Sequence, residues 1–180
     1  MIQCDNPCSV RYPIPTALVP CSDDTRLLFP LYSGKHSCVT AAMQYSFQSS
    51  ILQEDQAEIA DSLCRFSQEE LCHARVLGRV IYALGGNPRF IQPDKQQFWH
   101  AGLLCYQFDP GIFLITDLRI RLNAVDELLA AADRIKNQNL RPLLEQLAVE
   151  SEDQAKQLQL IIRGYHEKDH KRKSSACGQL

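Results

Sequence analysis

Long apolar runs are missing from this 180-residue chain. No stretch approaches the roughly 20 consecutive apolar residues of a membrane-spanning helix. The N-terminus, MIQCDNPCSV, has no basic region leading into an apolar one, as a secretory leader would. An excess of one charge is missing too: 19 Lys and Arg stand against 21 Asp and Glu, for a net charge of −2. With a pI near 6.2, nothing global favours nucleic acid or an anionic membrane surface. A soluble, cytoplasmic protein is expected. The eight cysteines (4, 8, 21, 38, 64, 72, 105 and 177) never form C-x-x-C. In a reducing compartment such scattered thiols act mostly as small buried hydrophobes. Cys4-x-x-x-Cys8 is only a weak signal for a metal or a disulfide.

What is present is helical periodicity, with polar residues in unexpected places. The stretch 59–86 has one face made of Ile59, Leu63, Phe66, Glu70, His73, Leu77, Val80 and Leu84. A stripe of this length predicts a helix packed into a core. Glu70 and His73, three residues apart in its middle, must find partners, because burying an unpaired charge is costly. They are either a ligand pair or half of a buried polar network. Gly85–Gly86–Asn87–Pro88 is a strong helix stop.

The rest of the chain supplies three more helices. One runs from about Ser37 to Gln53, with a narrow face of Cys38, Ala42, Tyr45, Ser49 and Leu52. Glu54–Asp55 is a short connection, so this helix and the next are antiparallel neighbours. Residues 87–109 lack a period but carry Phe90, Phe98, Trp99, Tyr106 and Phe108, and are long enough to cross the length of a bundle. The third helix opens with Asp109 as N-cap and Pro110 at its first position. Its face reads Leu114, Leu118, Arg121, Val125, Leu128 and Ala132, with a cation at the centre. The fourth runs from Leu140 to about Arg163 with Leu143, Leu147, Glu150, Gln154, Leu158 and Ile161 inward, and Asp153 on nearly the same side as Glu150. The chain therefore predicts an all-α, antiparallel four-helix bundle over residues 33–164, with a long crossover between helices two and three. Residues 1–32, with Pro7, Pro13, Pro15, Pro20 and Pro30, read as an extended arm, and residues 165–180 as a charged mobile tail stopped off by Gly164.

Ser37–Tyr45, Glu70–His73 with the following LGRVIYALGGNPRF, and Leu143–Leu158 together resemble the ferritin-like superfamily, closest to rubrerythrin-like and manganese-catalase-like bacterial proteins. The resemblance covers roughly residues 31–163. It implies a site in which two helices each give a Glu and two give Glu-x-x-His, all facing a pair of metal ions. Glu70, His73 and Glu150 match that pattern. Cys38 stands where the first helix would give a Glu, and Arg121 where the third would, with Asp117 one turn earlier as a substitute. Glu150–Ser151–Glu152–Asp153 replaces the fourth helix's Glu-x-x-His. The candidate metal ligands are thus Glu70, His73, Glu150, Cys38 and Asp153, with Arg121 and Asp117 beside them.

Charge decides between the readings. Three carboxylates against one permanent guanidinium leave two negative charges, enough for one divalent ion or for protonation of His73 and one acid. Arg121 would fill the place of a second ion, and its fork suits a bridge to Glu70 or Glu150. The expected function is a degenerate dimetal site, non-catalytic, with either no metal and an Arg–carboxylate network in its place or at most one iron, manganese or zinc ion. The alternative is a metal-dependent oxidoreductase acting on peroxide or oxygen. The resemblance implies a homodimer; neither nucleic acid nor membrane is expected as a partner. His166–Glu167–Lys168–Asp169–His170 matches H-E-x-x-H but lies in a basic tail without an apolar face, and reads as coincidence. A Cys38–His73 nucleophilic pair is the weaker reading of two groups that are more simply a buried thiol beside a hydrogen-bonded ring.

Overall fold

Ser37 and Asp109 start their helices as their residue types predict. The Ser37 hydroxyl accepts from the Thr40 amide at 3.2 Å, and the Asp109 carboxylate from the Gly111 amide at 2.8 Å. The computed structural model describes Tyr12, Pro15 and residues 18–52, 56–92 and 97–177. It contains α1 (Ser22–Ser33), α2 (Cys38–Ile51), α3 (Ala57–Ala83), α4 (Pro110–Arg134) and α5 (Arg141–Cys177), with a minimal hairpin, β1 (Ile91–Gln92) and β2 (Gln97–Phe98), between α3 and α4. Helices α2 to α5 form the expected bundle. Cys4, Cys8, most of the first 17 residues of the arm and the Glu54–Asp55 connection lie outside the described residues. Among the described residues, no helix is long and apolar enough to cross a membrane.

Two predicted boundaries differ from the structure. Residues 22–33 are helical rather than extended, despite Pro30 inside the segment. Asp23 and Asp24 suit the first turn of α1, and Leu28, Phe29, Leu31 and Tyr32 bury against α3 and α4. Short length and a near-terminal proline hid this period. At the other end, Gly164 does not stop the last helix, which continues to Cys177. A glycine within a helix costs only about 1 kcal/mol, and nothing lies near the missing Cβ of Gly164 to force a turn. Gly85, by contrast, has φ of +86° and ends α3 as expected.

The crossover is clamped rather than draped. Gln44 on α2 donates to the Cys105 carbonyl at 2.8 Å and accepts from its amide at 2.6 Å. Trp99 donates to Thr40 at 2.9 Å, and Tyr32 and Ser33 hold the carbonyls of Pro88 and Ile91. This fixes the direction of the long connection and lets α4 run parallel to α3.

Two apolar clusters fill the bundle. One gathers Leu28, Leu77, Ile81, Leu128, Leu143 and Leu147; the other gathers Tyr45, Leu63, Phe66, Phe113, Leu114 and Leu158. Between them three of the bundle helices contribute polar residues at one depth: Glu70 and His73; Asp117 and Arg121; Glu150 and Gln154. On α2, Gln48 lies past Tyr45 and reaches back to Asp117. Free thiols are Cys21, Cys38, Cys64 and Cys105, whereas Cys72 is disulfide-bonded, which departs from the reading of the thiols as plain hydrophobes. No local spacing signals such a bond.

Asp24 fastens α1 to the α4–α5 turn. Its buried carboxylate accepts from the amides of Lys136 (2.7 Å) and Asn137 (2.9 Å) and from the Asn137 side chain (2.6 Å). Burial alone would raise this carboxyl, but those donors outweigh it and hold it below the ordinary range. The stability it contributes is present above the unfolded aspartate pKa and is lost as pH falls through the lowered folded one. Asp24→Ala orphans buried donors and is expected to lower stability by about 2–4 kcal/mol, measured as the urea midpoint.

Candidate metal centre

The buried layer is built around Glu70 on α3. Its Oε1 accepts from the Arg121 guanidinium of α4, a contact in which both side chains are at most 1% exposed. His73, one turn further along α3, places Nδ1 3.3 Å from the same oxygen. On its other side, His73 Nε2 lies 2.7 Å from Glu150 Oε2 of α5. The Tyr12 hydroxyl donates to that same Glu150 oxygen at 2.8 Å, Gln146 donates to Glu150 Oε1 at 3.0 Å, and the Tyr12 ring stands edge-on to the imidazole. Cys38 of α2 approaches the same imidazole from within the core.

Charges settle accordingly. Burial raises the Glu70 carboxyl, but the adjacent Arg121 and His73 overcome this and bring it down to about 2. Burial disfavours a charged His73, yet Glu70, Cys38 and Glu150 outweigh it and raise the imidazole well above its usual value. The Cys38 thiol is pushed up by burial and by the Glu70 charge. Without an ion, the layer thus holds a thiol, an imidazolium and a guanidinium against two carboxylates, a balanced set.

The structure brings together some predicted site residues and separates others. Cys38, Glu70 and His73 each offer a ligand atom within 4.8 Å of one another. Glu150 joins them only through the far nitrogen of His73. Asp153 does not join at all: its side chain is 59% exposed and pairs with Lys156 at 3.2 Å. The helical turn that brings Glu150 to His73 buries Gln154, which donates to Glu69 at 3.0 Å, and carries Asp153 outward. Asp117 lies in the layer but faces Gln48, whose Nε2 donates to its Oδ1 at 3.1 Å. Sequence reading missed Tyr12, Gln48 and Gln146. The amides sit at four-residue spacings from Gln44 and Glu150, a signal that was available; Tyr12 lies in a segment without a period and gave none.

Three comparisons bear on the fold. Neither a protein-family model nor a curated protein matches the sequence. Among solved structures, two of KatB, a manganese catalase from Anabaena, superpose with a TM-score of 0.74 at 18% identity, covering 87% of this chain and 80% of theirs. Rhodobacter capsulatus bacterioferritin, described with a metal-free dinuclear site and haem iron, superposes at 0.69 with 22% identity, covering 83% of this chain and 89% of its own. The fold is ferritin-like. At these identities the likeness establishes architecture, and within the ferritin-like bundle the chemistry must be argued from this chain's own layer.

Two outcomes follow from that layer. Arg121→Met leaves Glu70 buried without its cation and is expected to cost about 3–5 kcal/mol; adding Glu70→Leu should restore most of the loss in chemical denaturation. Asp117 behaves oppositely. Burial raises its carboxyl to about 7, the Gln48 hydrogen bond and Arg121 offsetting this only in part. The folded state therefore binds a proton that the unfolded one has released, and stability falls as pH rises from about 4 to about 7. Asp117→Asn should remove that slope and raise stability at pH 8 by about 1–3 kcal/mol, read from denaturation midpoints across the pH range.

Proposed function

We propose that this ferritin-like protein carries a degenerate dimetal site that holds at most one ion and serves a binding role rather than two-metal catalysis. The observation that carries the reading is the guanidinium of Arg121 seated on Glu70, the carboxylate nearest the centre of the layer. Two-ion sites need both ions about 3.5–4 Å apart, and a fixed cation there repels a second one strongly at low dielectric. The remaining carboxylates do not offset this. Glu150 is held by three donors, Asp117 is turned to Gln48, and Asp153 is outside. Two divalent ions do not fit these residues.

One ion fits better. Glu70 Oε2 is buried and has no hydrogen-bond partner, while Oε1 keeps Arg121. With the Cys38 thiolate and a neutral His73 it offers a sulfur, a nitrogen and an oxygen, a set that suits zinc or iron. An ion so held supplies a single point of positive charge and Lewis acidity. Glu150, supported by Tyr12 and Gln146, would accept from the far side of the imidazole and fix its orientation. Taking up an ion would displace one proton from Cys38 and one from His73, so the layer keeps its balance of charge.

Elemental analysis of the full chain after loading with zinc, iron or manganese and removal of excess is expected to give no more than one tightly held ion per chain. Two would overturn the reading of Arg121. Any bound ion should be lost in Cys38→Ala and in His73→Ala and kept in Asp153→Ala. Arg121→Glu restores a carboxylate and removes the obstructing charge, so it should raise the stoichiometry above that of the parent.

A further inference from the structure

Away from the buried layer, a cavity of about 520 Å³ opens between α1, the α1–α2 connection, β1 and the end of α4. That volume lies within the range of small-molecule sites, roughly 300–1,000 Å³. Its mouth carries Arg26, Lys35 and Arg134. Lys35 and Arg134 are exposed and form no ion pair among the described residues. The acid at the wall, Glu127, is engaged by His36 Nδ1 at 2.8 Å, and Arg26 is shared with Asp23. Positive charge therefore dominates. Leu27, Leu31 and Ala131 make the inner wall apolar.

Gln92 adds an independent sign. It lines the same cavity, is only 7% exposed, and its amide nitrogen Nε2 is buried without any hydrogen-bond partner. A buried donor left unmade costs about 1–3 kcal/mol, and a rotation of the Gln92 side chain toward the cavity would let an entering acceptor satisfy it. We propose that this cavity is a binding site for a small organic anion, a phosphate monoester with a short apolar body, whose oxygens take the Gln92 amide and the Lys35 and Arg134 cations while its body lies against the leucines. The reading does not depend on the metal centre, which has its own residues.

Calorimetric titration of the full chain with butyl phosphate, inorganic phosphate and butanol tests it. Butyl phosphate is expected to bind once per chain, more tightly than inorganic phosphate, and butanol not at all. Lys35→Ala with Arg134→Ala changes only exposed side chains and should weaken butyl phosphate by about tenfold or more, since charge-assisted hydrogen bonds are lost. Gln92→Leu should also weaken it, while the melting temperature holds or rises because an unpartnered donor has been removed. No binding of butyl phosphate, equal binding of butanol or of inorganic phosphate, or undiminished binding by the Lys35/Arg134 double variant would each overturn the proposal. So would a Gln92→Leu variant that melts lower yet binds as before.

Discussion

Arg121 and Glu70 meet where neither can reach water, and the bundle's polar layer is arranged around that meeting. A buried ion pair gains little net stability, because desolvation consumes most of the Coulomb attraction. Its influence is on arrangement. Glu70, fixed by the guanidinium, draws His73 toward a positive charge; His73 in turn needs Glu150, and Glu150 collects Tyr12 and Gln146. One side chain at a central position thereby sets the protonation of its neighbours on three helices. The same cation also limits what the layer can bind, since any ligand must share Glu70 with it.

Much of this was legible in the sequence because burying a charge leaves a mark on a periodic pattern. Glu70, His73 and Arg121 interrupt apolar stripes, and an interruption in a stripe is visible without coordinates. The helix limits at Ser37, Gly85 and Asp109 were legible for a similar reason: each residue has a specific local task in capping or turning the chain. Asp153 was misplaced because a three-residue step from Glu150 spans 300° of helix. Either side of the inward line was open to that step, and burial of Gln154 settles it. Helix α1 escaped because twelve residues with an internal proline give too short a period to separate from an extended arm. Tyr12 and Gln92 were out of reach altogether. Their importance comes from what folds against them, and neither belongs to a repeating face.

The crossover shows how a segment without a period can still be determined. Gln44 satisfies both backbone groups of Cys105, and Trp99 takes the hydroxyl of Thr40, so residues of α2 rather than of the crossover itself dictate its path. The polar row beside the apolar face of α2 is therefore structural on one flank, at Gln44, and faces the central layer on the other, at Gln48.

The division of the core into two apolar clusters, one on each side of the polar layer, has a consequence for how the molecule loses order. Sliding α3, α4 or α5 by one turn, about 5.4 Å, would carry a charged group into one cluster and an apolar side chain into the charged stratum. The layer thus acts as a vernier for these three helices at once. It also separates two oily compartments that share backbone but few side-chain contacts, so each can open without first melting the other. A bundle built this way would be expected to breathe from its ends toward the middle, with the amides around Glu70 the last to meet solvent.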